Sequence, residues 1–318
     1  MDAARTALSW GIRAVAAIAP PVGARLALRA FMHVGAAARV HPDDAPTMDL
    51  SSRSTVRVAG LDGSGVDVVV HEWGRGDRTV VLAHGWRGRA SQFAPLVREL
   101  VSEGYRVIAF DAPGHGDSAG RRPYLIDWTD AVKMLREPGV PFHAIVGHSF
   151  GGLAALVAVA DGVATERVVT VAAPVDADTL LGQFRAAVGF GPRLAAALRR
   201  RFAAVYFPGD ADPFPAVSAV ERPLPDGVRL LVVHDRRDRQ VPYEEATRIL
   251  GANPGGTLLT TRGLGHARIL ASDAFLDGVL DALAEPIDVP AVTQNSRPES
   301  DTPAAAPTAR RPREVVTT

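Results

Sequence analysis

The stretch HAIVGHSFGG, residues 143–152, passes from a largely apolar run into a Gly-x-Ser-x-Gly motif. The apolar run is typical of a buried strand, and the alanine- and leucine-rich residues 153–160 predict a helix after it. A serine at such a strand-to-helix turn is exposed, and Gly147 and Gly151 leave space for strand and helix to pack closely. The pattern predicts that Ser149 is a nucleophile; a purely structural turn is the alternative.

A serine hydroxyl is a weak nucleophile, so it needs a nearby base that is in turn oriented by an acid. With this motif the acid and then the histidine are expected to follow the serine in the chain. Only His234 and His266 follow Ser149. His234 ends an apolar run and is expected to pack there, whereas His266 lies in a glycine-rich loop between a predicted strand and helix. We therefore predict His266 as the general base.

Two carboxylates compete for the role of the orienting acid, because residues 233–242, VHDRRDRQVP, follow a predicted buried strand. Asp238 lies in a turn ahead of a proline and is the favoured acid. Asp235 is expected to pair with an arginine or cap the turn. Asp176 and Asp178, after the preceding strand, are more remote alternatives.

A developing oxyanion requires hydrogen-bond donors. The backbone N–H groups of Phe150 and of Trp86, in the loop HGWRG at residues 84–88, are the predicted donors. His84 is expected to hold this loop in place.

A second loop, FDAPGHGDS at residues 110–118, follows another predicted strand. Its Asp111, His115 and Asp117 are interpreted as hydrogen-bond partners that shape the loop. A metal site built from these three side chains is the less favoured alternative.

Strand and helix patterns alternate from about residue 55, which predicts an α/β fold with a mostly parallel sheet. We predict two N-terminal amphipathic helices within residues 1–47, a core of 48–175 and 226–285, and a helical cap at 176–225. The proline- and alanine-rich residues 286–318 are predicted to be disordered.

Composition excludes several classes of function. The 318 residues carry no formal net charge, so we expect no nucleic-acid partner, and without cysteine there is no disulfide, thiolate nucleophile or cysteine-ligated metal. Lys133 is the only lysine among many arginines, a bias typical of GC-rich bacterial genes.

The first forty residues carry several arginines and one acid, Asp2. The favoured interpretation is a pair of helices packed on the main domain or on a partner; peripheral membrane contact through residues 1–40 is the alternative. We find no transmembrane or signal segment, so we expect a cytoplasmic protein, with membrane association as the variant. The sequence carries no signal for an oligomeric state.

Taken together, residues 84–86, 111–118, 147–152, 238–242 and 265–266 resemble the α/β-hydrolase superfamily. The resemblance covers roughly residues 55–285. It implies a mostly parallel twisted sheet flanked by helices, with an inserted cap. Serine rather than aspartate at position 149 distinguishes the chain from the haloalkane dehalogenases and epoxide hydrolases of this superfamily.

The resemblance implies a serine hydrolase that cleaves a carboxylic ester through a Ser149–His266–Asp238 triad and an acyl-enzyme, with no cofactor or metal. The aromatic residues of the predicted cap indicate a small-molecule ester with an apolar group, although each could equally form the core of the cap. The alternatives are a thioesterase or cofactor-free perhydrolase with the same triad, and a binding protein of this fold without catalysis.

Overall fold

The computed structural model of the chain describes residues 3–60, 63–120 and 123–285, with side chains from residue 9 onward. Within these residues the strands are β1 (Ser52–Val58), β2 (Val66–Trp73), β3 (Thr79–Ala83), β4 (Arg106–Asp111), β5 (Ala144–His148), β6 (Arg167–Val171), β7 (Arg229–Asp235) and β8 (Thr257–Thr261). They form one sheet in the order β1-β2-β4-β3-β5-β6-β7-β8. Strands β3 to β8 run parallel, and β2 is antiparallel to both of its neighbours.

The helices in the described residues are α1 (Ala3–Ile18), α2 (Pro20–Phe31), α3 (Ala45–Asp49), α4 (Ala94–Ser102), α5 (Leu125–Met134), α6 (Phe150–Ala160), α7 (Ala177–Val188), α8 (Pro192–Tyr206), α9 (Glu244–Ala252), α10 (Gly265–Arg268) and α11 (Asp273–Ala284). Helices α5, α6 and α9 contribute to the apolar core on one face of the sheet, and α4 and α11 to the core on the other. This arrangement explains the continuous apolar run of β3, because Val80 and Leu82 face one core while Val81 and Ala83 face the other.

The predicted α/β fold with a mostly parallel sheet is confirmed. Residues Ala90–Phe93 form a 3-10 turn, and the α-helix α4 begins after it at Ala94 with a proline in its first turn. The residues predicted to form a disordered tail, 286–318, lie outside the described residues.

The predicted cap segment contains α7 and α8, between β6 and β7. The N-terminal helices α1 and α2 pack on these two helices through a shared apolar cluster that includes Ile12, Ala27 and Leu28 with Leu198 and Phe202. The other face of the pair is exposed. None of the helices in the described residues is both long and apolar enough to cross a bilayer.

Candidate active site

Ser149 lies at the sharp turn between β5 and α6, with backbone angles φ 53° and ψ −121°. Such a positive φ is strained for a serine, so the surrounding packing must impose it. The neighbouring glycines permit that packing. A Cβ on Gly147 would lie 2.4 Å from the carbonyl oxygen of Gly151, and one on Gly151 would lie 2.1 Å from that of Ala83. The turn therefore has the geometry predicted for a nucleophile elbow.

Asp238 and His266 are brought together by the pairing of β7 with β8, whose last residues lie side by side. Asp238 Oδ2 accepts a hydrogen bond of 2.7 Å from His266 Nδ1, and the carboxylate is fully buried. With the Nδ1 proton directed at Asp238, Nε2 keeps its lone pair and can act as a base.

The charge of Asp238 is stabilised within the turn. Burial opposes its ionisation, but the hydrogen bond from His266 and those from the amides of Gln240 (2.7 Å) and Val241 (3.0 Å) outweigh burial and lower the pKa of Asp238. A carboxylate that stays ionised fixes the tautomer of the imidazole.

Ser149 and His266 line the same cleft. The hydroxyl of Ser149 has no hydrogen bond to any residue that the structure describes, as is common for a nucleophile without substrate. His266 was predicted in a loop, but it lies in the single helical turn α10, which begins at Gly265 with a left-handed φ of 69°.

The competing acids have other partners, and the second histidine, His234, approaches Asp238 Oδ2 only to 3.7 Å. Asp235 accepts hydrogen bonds from the Thr261 hydroxyl (2.8 Å) and from the amides of Arg237, Gly263 and Leu264. Burial opposes the ionisation of Asp235, but these bonds lower its pKa to about 2. Asp235 thus anchors the chain that leads to His266.

The buried His234 bonds the Val241 carbonyl through Nε2, 3.0 Å away. Asp176 caps α7 by accepting from the Thr179 amide, and Asp178 pairs with Arg199.

The loop of residues 84–88 lies directly against the nucleophile, since a Cβ on Gly85 would be 2.8 Å from the Cβ of Ser149. The backbone N–H groups of Trp86 and Phe150 donate no hydrogen bond to any residue in the described part of the chain. The indole of Trp86 packs edge-on against Phe150 at 5.4 Å between ring centroids. Both donors proposed for the oxyanion therefore border the same space as Ser149.

His84 is buried beneath this loop, and burial lowers its pKa to about 3. Its Nε2 accepts from the amide of Ala112 (2.9 Å), so the proton lies on Nδ1, which donates to the Gly85 carbonyl (2.8 Å). A neutral imidazole with both nitrogens engaged in this way supports the loop.

Asp111 and Asp117 come near His71 rather than His115, with one ligand atom of each within 4.8 Å of the others. Arg89 contacts both carboxylates, at 3.6 Å and 3.1 Å. Arg53 also pairs with Asp117, at 3.2 Å. Two arginines therefore balance the two carboxylates, whose chemistry fits an ion-pair cluster better than a metal site. His115 bonds the Pro113 carbonyl within its own loop.

The cleft in front of Ser149 has a volume of about 1560 Å³, larger than typical ligand pockets of about 300–1,000 Å³. Helices α7 and α8 form part of its wall. Phe184, Phe202 and Phe207 line the cleft, whereas Phe190 and Phe214 belong only to the core of the cap. The predicted cap aromatics are thus divided between lining the cleft and filling the cap.

Two features of the site had not been predicted. Helices α1 and α2 line the cleft with Ile12, Leu26 and Phe31. Their apolar periodicity indicated that one face would be covered, but not by which element. In addition, His148 Nε2 donates to the backbone carbonyl of His266 at 2.8 Å, and nothing in the local sequence indicates this contact across the site.

Comparisons with known proteins agree with this arrangement. Among curated relatives, the chain is 34% identical over 116 residues to a monoacylglycerol lipase of Mycolicibacterium smegmatis, across 32% of this chain and 40% of that protein. It is 34% identical over 95 residues to a bifunctional esterase/perhydrolase of Acinetobacter calcoaceticus, across 28% of this chain and 33% of that protein. The matches thus span well under two thirds of these relatives.

The fold is shared with solved structures. Mouse alpha/beta hydrolase domain-containing protein 10 matches with a TM-score of 0.56 at 18% identity, over 73% of this chain and 100% of that chain. An esterase of Pyrococcus furiosus matches with a TM-score of 0.54 at 20% identity, over 78% and 94%. Residues 80–278 match the family model described as the alpha/beta hydrolase family. Since that match extends from β3 into α11 and includes both the elbow and the histidine turn, the chain belongs to the alpha/beta hydrolase family.

Proposed function

We propose that the protein is a serine hydrolase that cleaves a carboxylic ester, with Ser149 as nucleophile, His266 as base and Asp238 as orienting acid. The observation that carries the proposal is the 2.7 Å hydrogen bond between Asp238 and His266 beside a strained serine in the same cleft. A buried, ionised acid and a histidine with a free Nε2 are the partners that a serine nucleophile requires.

The reaction begins when His266 Nε2 accepts the proton of the Ser149 hydroxyl and Oγ forms a bond to the ester carbonyl carbon. The oxyanion that develops accepts hydrogen bonds from the N–H groups of Trp86 and Phe150, and losing one such donor typically costs about 100- to 1000-fold in rate. The C–O bond to the alcohol then breaks, and the leaving oxygen takes the proton from His266. The product of this half-reaction is an acyl-enzyme on Ser149.

Water completes the cycle. It gives a proton to His266 Nε2 as its oxygen attacks the acyl carbon, and the same two N–H groups hold the second oxyanion. The bond to Ser149 Oγ breaks, and Oγ recovers the proton from His266. Asp238 stays ionised throughout and stabilises the imidazolium in both halves. The mechanism requires no metal or cofactor.

A fluorophosphonate probe tests the nucleophile. We expect the wild-type protein to be labelled on the peptide that contains Ser149 and the Ser149→Ala variant to remain unlabelled. Ser102→Ala is the matched control, because Ser102 is an exposed serine at the end of α4. Labelling that persists in Ser149→Ala, or an unlabelled wild type, would contradict the proposal and favour a binding protein without catalysis.

The apolar wall supports a substrate with a sizeable hydrocarbon group. Each methylene buried in such a cleft is worth about 0.8 kcal/mol, or roughly fourfold in binding. We expect kcat/KM for p-nitrophenyl esters to rise with acyl length until the cleft is filled. A preference for acetate over every longer ester would contradict this substrate class.

Thioester cleavage and perhydrolysis would use the same residues, and one relative is named as a bifunctional esterase/perhydrolase. In perhydrolysis hydrogen peroxide replaces water as the attacking group and the acyl chain leaves as a peracid. Peracid formation by the wild type but not by Ser149→Ala would place this second reaction on the same acyl-enzyme. Residence in the cytoplasm stays a prediction.

A further inference from the structure

Helices α1 and α2 present two different faces. The inner face packs on the cap, where Ile12 and Ala27 are buried and Phe31 contacts Phe184 at 5.3 Å between ring centroids. Gly23 allows the two helices to approach closely, since a Cβ there would lie 2.5 Å from that of Ala16. The pair is therefore a fixed wall of the cleft.

The outer face of the pair is apolar and uncovered. Trp10 is 65% exposed and Ile18 is 88% exposed on α1, and Val22 and Leu26 are exposed on α2. Residues 10 and 18 lie eight apart and residues 22 and 26 four apart, so each pair follows one side of its helix. A group of large apolar side chains that folding does not bury marks an interaction surface.

The same segment is strongly basic. Residues 3–40 contain five arginines and no acid, although the whole chain has no net charge. Within the described residues Arg13, Arg25, Arg29 and Arg39 form no ion pair, whereas many arginines elsewhere do. Arg13 lies over the ring of Trp10, 4.5 Å from its centroid. Arginines without an acidic partner beside exposed apolar side chains match a surface that is negatively charged outside and apolar beneath, as anionic lipids provide.

We propose that the outer face of α1 and α2 docks on an anionic lipid surface and that the ester substrate is an amphiphile taken from that surface. The substrate class rests on the proposed esterase function, whereas the docking does not depend on it. Trp10 and Leu26 belong both to the outer face and to the lining of the cleft, so the docked face includes the cleft entrance. A second copy of the chain fits less well, because a contact between two such faces would bring arginines together and offer no acid from residues 3–40 to pair with them.

Sedimentation of the full chain with vesicles tests the docking. The probes are vesicles of phosphatidylcholine alone and of phosphatidylcholine mixed with phosphatidylglycerol. We expect binding to the mixed vesicles that weakens with salt. Arg25→Glu changes the charge by two and should weaken binding about 25-fold, since each charge near such a surface contributes about fivefold. Ile18→Ser combined with Val22→Ser should weaken it about tenfold or more.

Matched controls lie at the opposite end of the parallel strands, where β3 and β4 begin. Arg75 is exposed beside the start of β4, and Met134 and Val140 are 55% and 51% exposed. Arg75→Glu, and Met134→Ser combined with Val140→Ser, should bind vesicles like the wild type. Docking is overturned if wild type does not bind the mixed vesicles, if the test and control variants weaken binding equally, or if the Ile18/Val22 change instead dissociates a dimer.

Catalytic assays separate the substrate class from the docking. Ile18, Val22 and Arg25 do not line the cleft, so their variants should hydrolyse a soluble short ester at the wild-type rate. Hydrolysis of a long-chain ester embedded in mixed vesicles should fall in proportion to binding. If these variants hydrolysed the embedded ester as fast as the wild type, the proposal that the substrate is taken from the lipid surface would be overturned. Ser149→Ala should sediment like the wild type, so a failure of the proposed chemistry remains distinguishable from a failure of docking.

Discussion

Replacement of Asp238 by asparagine changes the chemistry of the triad while keeping its shape. Oδ1 of Asp238 accepts from the amides of Gln240 and Val241, so the carbonyl oxygen of the new side chain must take that position. Its NH₂ group then occupies the place of Oδ2, 2.7 Å from His266 Nδ1. An amide NH₂ only donates, so Nδ1 must accept and the imidazole proton moves to Nε2.

A protonated Nε2 cannot take the proton of Ser149. Triads whose acid is converted to an amide lose about 10⁴-fold in kcat, and we expect a fall of about 10³- to 10⁴-fold here, or roughly 4–5.5 kcal/mol of transition-state stabilisation. The free energy of unfolding should fall by only about 1 kcal/mol, because all three hydrogen bonds can be remade.

Asp235→Asn is the matched control, since this carboxylate is also fully buried and lies at the end of β7, three residues before Asp238. Both of its oxygens accept from fixed donors, so the NH₂ group opposes a donor in either orientation. We expect a loss of stability of about 3 kcal/mol or more with a much smaller loss in kcat.

Urea denaturation and kcat/KM on a soluble p-nitrophenyl ester measure the two effects. The assignment of the acid would be refuted if Asp238→Asn stayed within about tenfold of wild type, or if Asp235→Asn lost catalysis without losing stability.

Three further changes address the elbow, the histidine turn and the core. Gly151→Ala should destabilise the protein by about 3 kcal/mol in urea, because its Cβ would lie 2.1 Å from a main-chain oxygen, whereas Gly182→Ala, with nothing within 4 Å, should not. His148→Phe removes the donor to the His266 carbonyl and should lower kcat about 10- to 100-fold, with partial rescue by glutamine, which can still donate. Burial raises the pKa of Asp127 to about 7, so the folded state binds the proton more tightly than the unfolded state between about pH 4 and 7. Stability should therefore fall as the pH rises through that range, and Asp127→Asn should flatten the dependence of the urea midpoint on pH; an unchanged slope would contradict the assignment.

The sheet could be predicted because its determinants are local in the sequence. An apolar run such as residues 79–83 is buried on both faces, as is typical of a parallel sheet covered by helices, where alternate side chains fill two cores. The sharp turn at Ser149 could also be predicted, because a Gly-x-Ser-x-Gly motif after an apolar run is typical of a turn from a strand into a helix. Local pattern did not indicate that His266 lies in a helical turn, which is only four residues long.

Contacts between distant segments were outside the reach of these patterns. The periodicity of α1 and α2 predicts an apolar face. It does not predict that this face packs on α7 and α8, because that depends on how the side chains of the four helices fit together. The same holds for His148, whose partner lies 118 residues away. Hydrogen bonds of this kind depend on tertiary packing, and no local sequence pattern distinguishes their donors from other residues.

The tertiary contacts also determine how the N-terminal helices can be studied. Arg87 donates to the His33 carbonyl at 2.9 Å and Arg89 to that of Ala38 at 3.0 Å, so the chain after α2 is tied to the loop that carries Trp86. Arg89 in addition pairs with Asp111 and thereby with the loop after β4. Removing residues 1–40 would therefore release the oxyanion loop and uncover the apolar face of the cap together. A truncated protein that lost activity would not distinguish a docking role from a structural one, whereas substitutions confined to the exposed face leave these ties intact.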